Sequence, residues 1–547
     1  MGPLVLRPRV VAVVLLCLSS VLATPLGAQE EGHESHRGEP VPREILERPV
    51  GLRTGIGTLH QAVTTSSSQA QAFYDQGLAY LHSYVWIEAA RSFHQALRLD
   101  PNMAMAYAGL TDTYIGLQNV TTARAAFAEA QAREKSLSAS ERSWLAIRER
   151  ELESLEDVAD PDKYVAYRKA INDALKLNPR DPWLWIQRGL ADEHSPFMHG
   201  QAGGVDTLAF YSMALALAAD NTAAHHYYAH TLENLGRTKE ALEETAIYVR
   251  SAPAIPHAHH MHGHELMRAG QTGEAIAEFL KTDELENAYY RAENIPARYD
   301  WHHAHNLQLL GMSYQSLGQM KLAEAAFRQA FALPAYTEFL EFNRKAWPEF
   351  LLGRMRCEEA LEAAQALTKS PAAMARLAGY TLSGQALLEL DRLNEAKDAL
   401  RFAEQEAEQL SASVLASLPF PGVLRAEILL REEKTVEGEE LMRNIKKVIL
   451  AVPGPDAWSA ARFELESIAI ASRTAGDWAM AESTARDMIR HDPNYAGGYF
   501  ALALVAERAG DSAGAQKQFA MAARLWEKAD SDLPELQTIH QATAALR

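Results

Sequence analysis

The sequence predicts an all-α chain of stacked helix pairs, and three observations carry that prediction. Turn glycines recur 34 residues apart, Gly236 with Gly270 and Gly476 with Gly510. Small and aromatic residues return at matching offsets around those turns. Eleven of the twenty histidines lie between His225 and His305, at corresponding places in consecutive helices. A unit of that length is one helix pair, too small to bury its apolar face alone. Stacking such units gives a core that grows with chain length. The 547 residues, 48% hydrophobic and 23% charged, suit such an array.

The amino terminus comes first. Arg7 and Arg9 precede an apolar run from Val10 to Leu22, then small residues with cleavage positions after Ala23 or Ala28. This predicts a secretory signal over residues 1–28 and a periplasmic or secreted protein. The run is too short for a confident membrane span, so no integral span is expected once the signal is removed. Leu16 before Cys17 argues against lipidation there. Removal of 1–28 takes two arginines and no acid, moving the formal charge from −18 to −20. That balance disfavours nucleic acid, which needs concentrated Lys and Arg, and disfavours anionic lipid, so no nucleic-acid partner is expected. Cys357 is then the single cysteine, so no internal disulfide is expected. It reads as a buried thiol rather than a nucleophile.

Residues 29–65 are polar and read as a flexible lead-in, with His33 and His36 as solvated side chains. The first helix pair carries Gly77, Tyr80, Ala89, Phe93, Ala96 and Pro101. The second repeats the pattern with Tyr114, Ala123, Phe127 and Ala130. The last shows Tyr499, Ala503, Gly510, Ala515, Phe519 and Ala522. This small–aromatic spacing resembles the tetratricopeptide repeat over most of residues 70–527. Residues 194–206 read as an insertion within a unit. Residues 283–300 read as a loop between units, because of Pro296 and a charged run. The stretches 334–350 and 410–422, with several prolines, read as further breaks. A tetratricopeptide-type superhelical solenoid in two blocks follows, 66–345 with the histidines and 346–547 beyond.

In that family the first helix of each unit lines a concave groove. Counting the turn glycine as position 15, positions 2, 5, 9 and 12 face the groove, and 4, 7, 8 and 11 pack. Gly236 then places His226, His230 and Glu233 on the groove. Gly270 places His257, His260 and His264 there, and Gly318 places His305. His226/His230 and His260/His264 are i,i+4 pairs, one turn apart and able to share an ion. Neighbouring helices lie about 10 Å apart, a gap imidazoles can close on one ion or two. The six histidines are therefore candidate metal ligands. His225, His259 and His262 fall on packing positions. His302 and His303 are expected before the helix, as outlying or surface groups.

The block also resembles a group of bacterial tetratricopeptide proteins with the signature His-Tyr-Tyr-x-His-x-x-Glu, His-x-x-His-Met-x-x-His and His-Asn. Here these are His226 to Glu233, His257 to His264, and His305-Asn306. Tyr74 to Leu78, Asp100-Pro101 and Ala104 to Tyr107 resemble its first unit. His262-Gly263 departs from the Pro-Ser expected there. The resemblance implies a shared site and no particular reaction.

An all-imidazole shell suits zinc or copper among other transition metals. Zinc with Glu233 as general base would be hydrolytic; paired ions with three histidines each would resemble a copper–oxygen site. Glu233 could instead orient a ligand or bind directly. No phosphate loop, nucleophile elbow or Cys-x-x-Cys is present. The alternative is a non-enzymatic scaffold holding a protein or peptide in the groove.

Overall fold

Helices follow one another in pairs joined by three-residue turns, and the turns explain the sequence period. In a computed structural model, residues 40–193, 199–335, 337–452 and 454–545 are described. Gly236, Gly270, Gly318, Gly476 and Gly510 end the first helix of their pairs at φ of 70–82°. Glycine adopts this left-handed conformation without a Cβ penalty. The next N–H then turns back to the carbonyl five residues earlier, Arg237 to Leu232 and Gln271 to Leu266. Tyr84, Gln118, Met355, Asp391 and Glu433 occupy the same turn at φ of 56–63°. Among the described residues there is no strand.

The small–aromatic spacing is a packing rule. A Cβ added to Gly77 or Gly109 would stand 2.5 Å from the Phe93 ring. Gly263 bears the same relation to Phe279, and Gly311 to Phe327. Each phenylalanine is buried, filling the space that a missing side chain leaves on a facing helix.

Three expectations change. The part of the 29–65 lead-in that is described, from residue 40, packs onto the first pair. Ile45, Leu46, Val50, Ile56 and Leu59 are buried. The Arg91 guanidinium donates to the carbonyls of Arg48 and Pro49. Spaced apolar residues within a polar composition anchor this segment. Residues 283–300 are not a loop throughout. Helix Thr272–Glu293 runs through most of them and ends at Asn294, φ 51°. The charged run favours helix, and its acids are used: Asp283 meets His303, Glu286 meets His302, and Glu293 meets Arg53 and Arg91. The 334–350 stretch holds helices Glu338–Asn343 and the start of Ala346–Gly353. The candidate signal, His33 and His36 lie outside the described residues.

The later repeats return to the histidine-bearing helices. Helix Pro455–Thr474 packs against His302–Ser316. Arg462 lies 3.4 Å from the Met267 sulfur, and Arg268 sits over the Trp458 ring. Further along, the Asp530 N–H donates to the Gly318 carbonyl at 3.1 Å. A hydrophobic core extends from Leu266 to Ile428, crossing residue 345 without a break. No helix among the described residues is long and apolar enough to cross a membrane.

Candidate metal centre

Three helices carry the site: Thr222–Asn234, Pro256–Arg268 and His302–Ser316. Asn221 caps the first by accepting the Ala224 N–H, and Pro256 starts the second. These starts set the rotation of each helix, so residues 226 and 230, and 260 and 264, face the same neighbours.

The six candidate ligands fall into two triads. His226, His230 and His257 each offer a nitrogen within 4.8 Å of the other two, and so do His260, His264 and His305. All six are at most 7% exposed. In the first triad the converging atoms are Nε2. His226 Nε2 lies 3.1 Å from that of His230 and 3.0 Å from that of His257. Metal–imidazole bonds of about 2.0–2.1 Å place tetrahedral ligand nitrogens roughly 3.3 Å apart. The spacing is therefore close to what one ion would impose.

The opposite nitrogens are held by the protein. His226 Nδ1 donates to the His82 carbonyl at 2.7 Å, which leaves its Nε2 as a bare lone pair. His260 Nδ1 meets Asn306 Oδ1 at 3.0 Å, and the Asn306 amide donates to the Phe279 carbonyl. His264 Nδ1 meets Glu233 Oε1 at 3.1 Å, and its Nε2 is buried without a partner. Partners of this kind fix ring orientation in metal sites. Burial holds all six imidazoles below their ordinary range, His230 and His264 to about 3, and neighbouring rings push the same way. The rings are neutral at pH 7, the form that binds metal.

Glu233 is fully buried. Its carboxylate faces the Nδ1 side of both His264 and His230, the latter at 3.8 Å. For His230 that is the side opposite the converging Nε2, and for His264 it is the side opposite the unpartnered Nε2. Glu265 lies beside it. Burial, with Glu233 near, raises Glu265 to about 10, and burial raises Glu233 to about 7.

The other histidines separate by role. His225 and His259 are a matched pair, 34 residues apart. Each joins a carboxylate on the next helix, Glu244 at 2.5 Å and Glu278 at 2.6 Å, to a carbonyl before its own helix. His262 meets Thr245. His302 and His303 differ from expectation: they open helix His302–Ser316 and are buried. Helix Thr272–Glu293 extends past them and supplies Glu286 and Asp283. His302 lies between the triads, its ring 5.0 Å from that of His257 and 4.4 Å from that of His260.

Residues outside the sequence reading complete the enclosure. Tyr84, in a left-handed turn, places its ring 4.7 Å from His226 and 4.9 Å from His257. A bulky residue in a turn that glycine takes elsewhere was its only sequence signal. Asp456 comes from the later repeats and stands 3.6 Å from His305 Nε2. Local pattern gives no hint of it. Cys357 is buried, as the sequence reading expected.

The helix pair built from His302–Ser316 and Met320–Ala332 fits the repeat geometry directly. Residues 304–335 match the family model of the tetratricopeptide repeat. No curated protein matches the chain. Solved structures similar to it include a tetratricopeptide repeat protein from Parabacteroides merdae, 15% identical, covering 50% of this chain and 96% of that one, with a TM-score of 0.35. Yeast Tom70 is 15% identical over 87% of this chain and 95% of its own, TM-score 0.32. YrrB, described as a tetratricopeptide protein with an unusual peptide-binding site, is 16% identical over 36% and 91%, TM-score 0.26.

Proposed function

We propose that this chain is a tetratricopeptide-type scaffold whose buried histidine cluster holds two transition-metal ions, zinc or copper. The convergence of six neutral imidazoles into two triads carries the reading, since burying lone pairs against each other is costly without an ion or proton between them. His226, His230 and His257 would hold one ion, and His260, His264 and His305 the other. Glu233 serves as an orienting carboxylate in this reading, because it meets ligand rings on their Nδ1 side. A general-base role is the outcome to be tested against it. A periplasmic or secreted location, expected from the signal-like residues 1–28, belongs to this reading.

A protein or peptide partner is the second reading, favoured by the matched repeat at 304–335. Such a partner would engage the array away from the histidines. At the histidines, helix Pro455–Thr474 packs against helix His302–Ser316, Asp456 stands at His305, and Trp301 lies 6.1 Å from the His257 ring, so that face is already covered.

The test is metal content of protein purified without a histidine tag, followed by zinc and copper titration. Two ions per chain are expected, falling to one in His226→Ala and to one in His264→Ala. Protein that stays folded and takes up neither metal would exclude the metal reading and leave the scaffold reading standing.

A further inference from the structure

A cavity of about 300 Å³ adjoins the first triad, bounded by residues 80–88, 254–257 and 285–302. His257 and His302 form part of its wall. Six aromatic rings line it: Tyr80, Tyr84, Trp86, Tyr289, Tyr299 and Trp301. Trp86 and Trp301 stack on each other at 5.7 Å and 28°, making one continuous apolar face. The Tyr84 ring lies between that face and the histidines, 6.1 Å from Trp301 and 4.9 Å from His257. Isolated aromatic residues need no ligand, but six around one cavity leave ring faces for another ring to contact.

The charged groups around the cavity are already engaged inside the protein. Arg53 pairs with Glu293, and Glu88 pairs with Arg91. Glu286 meets His302. Asp300 accepts from the Tyr290 hydroxyl and the His302 N–H. Arg53 keeps Glu293 as its counter-ion, and Glu286 Oε2 is buried without a hydrogen-bond partner. Burial pushes the Glu286 carboxyl well above its ordinary range, toward the neutral form, so it offers a hydrogen bond to a neutral polar group, whereas an added charge would be desolvated without compensation. The volume is at the lower end for ligand pockets, about 300–1,000 Å³, and suits one or two fused rings.

We propose that this cavity binds a small, neutral, planar aromatic molecule beside the His226/His230/His257 triad. The proposal deepens the metal reading by naming the class of molecule that would sit next to that centre. Recognition itself uses aromatic faces and does not need the ion.

The test is calorimetric titration of the full chain with four probes of one shape: 2-naphthalenemethanol, 2-naphthoate, protonated 2-naphthylmethylamine and decahydro-2-naphthalenemethanol. The neutral aromatic alcohol is expected to bind one per chain. The anion and the cation should bind at least tenfold more weakly, and the saturated alcohol at least fivefold. Trp301→Leu and Trp86→Leu should each weaken the alcohol at least fivefold in protein whose circular dichroism shows it still folded. Equal binding of all four probes, preference for a charged one, or no binding to folded protein would overturn the proposal. Those outcomes are read on the unmodified chain, so a leucine variant that fails to fold does not blunt them. The series is repeated after chelator treatment. Binding retained after chelation is expected, because recognition does not need the ion; aromatic binding by a folded chain that takes up neither zinc nor copper would sink the metal reading alone. Two bound ions with no aromatic ligand would sink this proposal alone.

Discussion

Replacing Glu233 with glutamine separates the roles open to it. The carboxylate is fully buried and accepts from His264 Nδ1 at 3.1 Å. Glutamine keeps the size and one acceptor oxygen but removes the charge. A hydrogen bond to a charged group contributes about 1.5–3 kcal/mol and a neutral one about 0.5–1.5. The difference, about 1–1.5 kcal/mol, corresponds to roughly a tenfold loss of affinity. That agrees with the 10- to 100-fold range typical when an orienting partner of a metal ligand is changed. The loss should fall on the His260/His264/His305 ion, because His230 is 3.8 Å from the carboxylate and less dependent on it. Competition against a chromophoric chelator should therefore give two zinc steps, one weakened about tenfold and the other within threefold of the parent. Unchanged affinity at both steps would refute the orienting role. Complete loss of one ion would show that Glu233 is itself a ligand.

His225→Ala and His259→Ala should each remove two buried hydrogen bonds, costing about 1–3 kcal/mol, and lower the melting temperature while two ions still bind. Loss of metal from either would reassign it to the site. Burial pushes the Glu193 carboxyl up to about 8, while the unfolded chain titrates near 4.5. Its contribution is fully present below about pH 4.5 and is lost as pH rises through 8, by up to about 5 kcal/mol. Melts at pH 5 and pH 9 should therefore differ less in Glu193→Gln than in the parent; equal differences would count against that assignment. Gly263→Ala places a Cβ 2.7 Å from the buried Phe279 ring and should cost about 1–3 kcal/mol by overpacking, read from the shift in chemical denaturation. An unshifted curve would mean that the ring yields.

The repeat is legible because each of its signals has one cause. A left-handed turn wants glycine, and a phenylalanine wants a facing residue without a side chain. Counting from Gly236, Gly270 and Gly318 is enough to bring six histidines onto three neighbouring helices. Their division into two triads is not legible, since it depends on interhelix distances that no spacing encodes. His302 is obscured by the misread 283–300 stretch: only when helix Thr272–Glu293 extends to Glu286 does His302 acquire a buried partner. Tyr84 hides in a turn that tolerates many residues. Asp456 and Arg462 reach the centre through chain closure, a contact between segments more than 150 residues apart in sequence.

That closure changes what the architecture permits. An open repeat array can lengthen or shorten by whole units, because each touches only its neighbours. Here Asp530 is bonded to Gly318, and Asp456 stands at His305. Inserting or deleting one helix pair between them would carry Asp456 away from the histidines by a full unit's displacement. The number of repeats is thus fixed by the need to bring one carboxylate home, and the chain has exchanged a modular rod's freedom to vary in length for a clasp that fastens at a single size.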